Sequence, residues 1–125
     1  MSTQNEGGYK TFSSGEALLP YTRVKVNSSG QVIYADKAEN SIGVVQEEAL
    51  ASGVNVVVRL WNAGGTFSIL TNAASAGAVG SAYYAADDGK VSLASTGAIG
   101  TLGYGLEAPG ADEAVIELAP YKSNA

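Results

Sequence analysis

A turn with two adjacent aspartates is the first position where this sequence could hold a ligand. Asp87-Asp88-Gly89 offers hard oxygen donors of the kind that calcium prefers. The matching turn elsewhere in the chain, Ser28-Ser29-Gly30, has no carboxylate, and the spacing of an EF-hand with its distal glutamate is missing. The pattern therefore favours a hairpin turn, and we predict no metal site.

Four glutamates supply the residue type that glycoside hydrolysis needs, which is a pair of carboxyl groups about 5–10 Å apart. They are Glu47, Glu48, Glu107 and Glu113. Such a pair normally lies among aromatic residues that stack on sugars, but Trp61 is the only tryptophan and the seven tyrosines are spread along the chain. Solvated loop carboxylates are the favoured interpretation.

The remaining chemistry is excluded by residue type. The sequence has no histidine and no cysteine, so imidazole acid–base catalysis, thiolate metal sites and cysteine nucleophiles are absent. The glycine-rich run at residues 100–105 matches neither a Walker loop nor a dinucleotide-binding fingerprint. We predict that the protein is not an enzyme and needs no cofactor.

The composition limits the classes of partner that we expect this protein to bind. The chain has 125 residues, the size of one domain, and carries a net charge of −5 with its seven basic residues scattered, so we expect no nucleic acid. No apolar run reaches the ~18 residues of a membrane span, and the first residues lack the features of a secretory signal, so we expect cytoplasmic synthesis and no membrane. Only 15% of residues are charged, which fits either an exterior partly covered by partners or a compact β-domain with a surface of small residues.

The elements that must position these residues are β-hairpins, and they occur twice. Residues 22–35 align without a gap on residues 81–94, and both copies alternate apolar and polar positions around a glycine turn. Each copy then runs into Ile-Gly, a further glycine and an alternating strand. These paired features are Ile42-Gly43 with Ile99-Gly100, Gly53 with Gly110, and residues 55–60 with 113–118. The copies share glycines and apolar positions but no polar chemistry, which is typical of a repeated scaffold.

We therefore predict a mainly β fold, a compact barrel or sandwich of two related glycine-punctuated hairpin units, residues 22–60 and 81–118, sharing one core. The β domain spans residues 17–119 and is followed by a short tail, 120–125. At most one short helix is expected, and residues 71–80 form it or a loop.

Residues 1–16 are polar and are predicted to form an extended N-terminal arm outside the core. Tyr9 and Phe12 are its aromatic residues, so either they dock against a neighbouring chain or the arm is disordered. Trp61 follows the strongest predicted strand, where it either plugs an edge of the core or anchors an interface.

The order and spacing of these elements carry a resemblance to a known family. The matching positions begin at Gly15-Glu16-Ala17, continue through Val24, Gly30, Ile42-Gly43-Val44, Gly53, residues 56–58 and Gly65, and end with Gly80, Tyr83, Gly89-Lys90-Val91, Ile99-Gly100, Leu106-Glu107-Ala108 and residues 115–118. Over residues 15–119 the chain resembles the small capsid decoration (cement) proteins of tailed bacteriophages.

The resemblance implies a compact β-domain that trimerises on the outer surface of an expanded virion capsid, near local three-fold positions. There it would clamp hexamers of the major capsid protein against the pressure of the packaged DNA. It also implies that the arm adds to capsid strands, with Tyr9-Lys10-Thr11-Phe12 as the binding strand. The alternative is a carbohydrate- or surface-binding β-module of a phage fibre or cell-surface protein, which would need a solvent-facing cluster drawn from Tyr83, Tyr84, Tyr104 and Trp61.

Overall fold

A computed structural model describes residues 7–72 and 77–120, and it confirms a mainly β fold. The first five strands are β1 (Tyr9–Ser13), β2 (Arg23–Val26), β3 (Val32–Tyr34), β4 (Gly43–Val45) and β5 (Asn55–Leu60). The next five are β6 (Phe67–Leu70), β7 (Ala82–Ala85), β8 (Val91–Ser92), β9 (Thr101–Gly105) and β10 (Val115–Pro120). The one helix among the described residues is a 3-10 turn, Asp87–Gly89, which closes the hairpin of β7 and β8 at the predicted position.

The strands form two five-stranded antiparallel sheets of the same topology. Their orders are β1-β5-β4-β2-β3 and β6-β10-β9-β7-β8, so each strand of the second sheet occupies the place of the strand five earlier in the first. The prediction of two related β-units is thus confirmed, and the repeat extends beyond the predicted copies to include β1 and β6. We call residues 7–60 the first unit and residues 66–120 the second unit.

Strand register corrects part of the sequence alignment. Val24 and Tyr83 occupy equivalent places, since they pair with Gly43 and Gly103 respectively. The counterpart of Gly43 is therefore Gly103, and not Gly100 as the Ile-Gly match predicted. The reason is steric, because a Cβ at Gly43 or Gly103 would overlap a carbonyl oxygen of the neighbouring strand.

Each sheet curls until its two edges touch at one point, just beyond the first strand of the sheet. Ser14, just after β1, bridges to Val32 of β3, and Thr71, just after β6, bridges to Val91 of β8. Both hydroxyls are buried and both accept a backbone N–H at 3.1 Å, from Val54 and Ala114 respectively. The two copies therefore share a buried hydroxyl that accepts a backbone N–H, which corrects the prediction that only glycines and apolar positions repeat.

The core is divided between the units, whereas one shared core was expected. In the first unit it is built from Leu18, Val24, Val32, Val45, Ala49, Val56 and Val58. In the second it is built from Phe67, Ile69, Tyr83, Val91, Ile116 and Leu118, joined by Ala63 and, from the first unit, Val44. Because each sheet curls on itself, its inner side chains mainly meet one another.

The predicted arm is a strand of the first unit as far as the structure describes it. Tyr9–Ser13 pairs with β5, Phe12 packs on the first core and Ser14 is buried. Phe12 is apolar at the alternation that faces the core, which explains why this polar segment pairs within its own chain. Residues 1–6 of the arm, 73–76 of the predicted helix or loop and 121–125 of the tail lie outside the described residues. Residues 77–80 form no helix, and Pro120 ends β10.

Candidate partner-binding surfaces

The predicted site residues Tyr9 and Trp61 lie on one stack of side chains that spans the two units. The guanidinium of Arg59 lies 5.8 Å from the centre of the Tyr9 ring and 4.3 Å from that of Phe67. Phe67 in turn lies 4.9 Å from Trp61, whose indole N–H donates to Ser41 at 3.0 Å. Cation–π and aromatic contacts of this kind stabilise an interface. Within this chain, Trp61 therefore packs at the junction between the units.

Arg59 was not singled out by the sequence, although it organises the stack. Its two terminal nitrogens donate to the carbonyl oxygens of Gly64 and Thr66, in the segment that connects the units. Its Nε is buried without a hydrogen-bond partner among the described residues. An arginine directly after the three consecutive valines of residues 56–58 was the available signal.

The other predicted arm residues line β1. Lys10 and Thr11 are exposed, and Phe12 is half-buried with the Lys10 ammonium 6.0 Å from its ring centre. Strand β1 lies at one end of the first sheet, where β5 is its strand neighbour within the described residues. This places the four predicted residues Tyr9, Lys10, Thr11 and Phe12 on a sheet edge, which is a surface that another strand can join.

A second residue that the sequence did not single out, Arg23, fastens the units together. It is fully buried, and it donates to the carbonyl oxygens of Ala35 at 2.9 Å and Asp36 at 3.1 Å in the first unit, and of Ala86 at 3.1 Å in the second. Burial lowers the pKa of Arg23 to about 10, although Asp36, Glu39 and Asp87 act against that shift. Its counterpart is Ala82, so the repeat itself departs at this position.

Three of the four candidate catalytic glutamates make contacts that stabilise the fold. Glu47 accepts the N–H of Val57 at 2.9 Å, and its counterpart Glu107 accepts the N–H of Glu117 at 2.8 Å. Glu113 forms an ion pair with Lys90. Glu47 and Glu107 thus make the same contact with a strand N–H in the two units. Glu48 is exposed in a loop.

The two aspartates of the 3-10 turn also make structural contacts. Asp87 accepts the backbone N–H of Lys37 at 3.2 Å, and the N–H of Asp88 donates to Asp36 at 3.1 Å. Both bonds join the turn to the first unit. Among residues 7–72 and 77–120, no three acidic residues come together as a metal site.

A small cleft of about 230 Å³ opens between the units beside Trp61. Glu39 and Ser41 of the first unit and Ile99 and Leu102 of the second also line it. Of the tyrosines named for a glycan-binding cluster, Tyr83 is fully buried in the second core, whereas Tyr104 is 43% exposed. The cleft combines an indole edge with one carboxylate and suits a single inserted side chain better than an extended ligand.

Comparison with known proteins identifies no family, since no protein-family model matches the chain and no curated protein matches its sequence. Over the described residues, no helix has the length and apolar character required to cross a bilayer.

Proposed function

We propose that this protein is a structural decoration (cement) protein of a tailed-phage capsid. It binds the outer surface of the virion as trimers near local three-fold positions and stabilises the expanded head against DNA pressure. Its partners are the major capsid protein and further copies of itself, it performs no enzymatic reaction, and it reaches the capsid after synthesis in the host cytoplasm. The resemblance over residues 15–119 supports this proposal.

The observation that carries the proposal is the geometry of the β1 edge. The N–H of Leu60 donates to Gly8 and the N–H of Ser14 donates to Val54, which sets the alternation of the β1–β5 ladder. Backbone groups of an antiparallel edge strand point alternately toward and away from its neighbour. By that alternation Lys10 bonds to β5, whereas the N–H and C=O of Thr11 point outward, where a capsid strand could pair.

The use of the polar side chains supports the same function. Three of the glutamates considered for catalysis, together with Arg23 and Arg59, hold strands, turns and units in place. These glutamates are Glu47, Glu107 and Glu113. The described surface also exposes ten large apolar side chains. They are Tyr9, Leu19, Val26, Leu50, Val54, Val79, Ile99, Tyr104, Leu106 and Val115.

Thr11→Pro tests the edge directly. Proline removes the outward N–H and is tolerated on edge strands at such positions, so the fold should survive. Deleting residues 1–14 would be less informative, because it would remove β1 and uncover the first core. Binding is measured by cosedimentation with capsids of the phage assembled without this protein, and folding by thermal unfolding.

Two matched variants define the outcome. Thr11→Val keeps the N–H and should bind like wild type, whereas Lys10→Pro removes an N–H that bonds to β5 and should destabilise the fold. We expect Thr11→Pro to weaken capsid binding at least tenfold with its midpoint of unfolding little changed. Unchanged binding would exclude the β1 edge as the contact, and a wild-type protein that binds no capsid would overturn the function itself.

The carbohydrate-binding alternative has less support. Its tyrosine cluster loses Tyr83 to the core, and the cleft beside Trp61 is small. Titration with a glycan array, in which saturable binding is lost on Trp61→Ala, would favour this alternative over the capsid role.

A further inference from the structure

One face of the first unit is covered by the second. Four side chains form a row across the outer face of the first sheet, neighbours by strand register, and we call it the covered row. It consists of Tyr9, Arg59, Val44 and Arg23. Val44 and Arg23 are fully buried: Val44 packs in the core of the second unit, and Arg23 bonds to Ala86 of that unit.

The second unit has the same row, but with nothing described that covers it to the same extent. The equivalent positions, which we call the open row, are Thr66, Ala119, Tyr104 and Ala82. Tyr104 is 43% exposed, whereas its counterpart Val44 is inaccessible to solvent. The open row contains no charged residue, so it can be buried without stranding an ion.

The surface that does the covering also has an exposed counterpart. In the second unit it includes Ala86, whose carbonyl oxygen accepts from Arg23, and Gly89, and both are buried. The equivalent residues of the first unit, Asn27 and Gly30, lie at a hairpin end beside Val26, which is 41% accessible. A Cβ at Gly89 would lie 2.6 Å from the Arg23 carbonyl oxygen, whereas one at Gly30 would meet nothing within 4 Å.

The contact between the units is therefore heterologous, and each of its two surfaces occurs once more on the same chain, where it is partly exposed. We propose that copies of this protein associate head to tail, with the hairpin end of one copy's first unit, at Val26–Gly30, covering the open row of the next copy. A heterologous contact of this kind generates rings when the rotation closes. The inference rests on the self-association included in the proposed function and does not depend on the capsid.

Charge complementarity agrees with this pairing. Within the chain, Phe67 of the second unit lies over Arg59 of the first. The counterpart of Phe67 is Lys10, and the counterpart of Arg59 is Ala119, so Lys10 of one copy would lie over Ala119 of the next. Glu117 precedes Ala119 by two residues on the same strand face and is exposed. Head-to-tail packing would bring the Lys10 ammonium near this carboxylate, which favours association.

Two substitutions disable the two surfaces separately. Tyr104→Arg places a charge on the open row, and Val26→Arg places one on the hairpin end. Both positions are exposed, so the variants should fold, and circular dichroism checks this. Ser28→Arg and Tyr104→Asp replace any variant that does not fold. Leu50→Arg, at a side chain that is 80% exposed and belongs to neither surface, is the matched control.

The masses in solution are measured by light scattering on the isolated full chain. We expect wild type and Leu50→Arg to form the same oligomer, and Tyr104→Arg and Val26→Arg each to be monomeric. An equimolar mixture of the two monomeric variants should form a 1:1 dimer, because each retains the surface that the other lacks.

Three results would overturn the inference: a monomeric wild type, single variants that remain oligomeric, or a mixture that stays monomeric as a symmetric interface predicts. None of these measurements involves capsids. Failure here is thus separate from failure of capsid binding.

Discussion

Arg23 offers the sharpest test of how the two units are held together. Replacing it by methionine keeps much of its apolar volume but removes every donor. Three carbonyl oxygens within 3.1 Å then lose a charged partner, those of Ala35, Asp36 and Ala86. Ala35 retains the N–H of Gly89 and Asp36 retains that of Glu39, so the carbonyl oxygen of Ala86 loses most.

The size of the effect follows from two opposing terms. Hydrogen bonds to charged groups are worth about 1.5–3 kcal/mol each, or roughly 5–9 kcal/mol for three. Against this, burial of the guanidinium lowers its pKa from 12.5 to about 10, a cost on the order of 3 kcal/mol that methionine would not incur. We therefore expect Arg23→Met to lower the free energy of unfolding by about 3 kcal/mol, in line with removing one partner from a buried pair.

Urea unfolding monitored by tryptophan fluorescence measures this loss, because Trp61 lies at the junction of the units. The midpoint of thermal unfolding should fall by about 10–15 °C for a chain of this size. Arg23→Lys should lose less than Arg23→Met, because its ammonium still donates to part of this set of carbonyls. It should nevertheless lose some stability, since one ammonium cannot reach the carbonyls of both units. Lys25→Met, on the same strand but half-buried in an ion pair with Glu39, is the charge-matched control and should lose under about 1 kcal/mol. A loss below about 1 kcal/mol for Arg23→Met would refute Arg23 as the fastening between the units.

Three further predictions concern single positions. Gly43→Ala and Gly103→Ala should each lower the free energy of unfolding by about 2–3 kcal/mol, measured by urea unfolding, because the added Cβ overlaps a carbonyl oxygen of the neighbouring strand. A substitution without effect at either position would contradict the equivalence of the two glycines. Tyr83→Phe should be neutral or up to about 1 kcal/mol more stable, because the buried hydroxyl has no partner among the described residues. Burial raises the pKa of Tyr83, so wild type should lose stability above pH 10 more steeply than this variant, and equal slopes would count against its burial. The Lys25 ammonium and a backbone N–H hold the pKa of Glu39 below its usual 4.5, so this carboxylate stabilises the fold above that pH, and the stabilisation is lost as the pH falls through the lowered pKa. Glu39→Gln should therefore make the free energy of unfolding in urea fall less steeply at acid pH. An unchanged acid dependence would refute the contribution of Glu39 to stability.

Local patterns were enough to predict the β class and the doubled hairpin. The alternation of Val24 and Val26, and glycine turns at Gly30 and Gly89, depend on residues near in sequence, and both hairpins form where predicted. The Ile-Gly match placed the counterpart of Gly43 three residues early, because Gly43 is the first residue of β4, whereas Ile99-Gly100 lies in the loop before β9. Only strand register, which is a long-range pairing, identifies Gly103.

The same limit explains what was missed at the candidate surfaces. A polar segment with two aromatics resembles an arm, and nothing local indicates that Phe12 completes the first core or that Tyr9 lies over Arg59. Arg23 alternates with valines like any exposed strand residue, and it is buried only because the second unit lies against that face.

The sequence by itself therefore determined the repeated hairpins, since periodicity and turn chemistry act over a few residues. The tertiary structure alone decided that the copies curl into separate cores and pack head to tail, leaving one row covered and its counterpart open. The packing of the two units depends on contacts between residues that lie about 60 positions apart in the sequence. Such contacts are set by the whole fold and not by local preference.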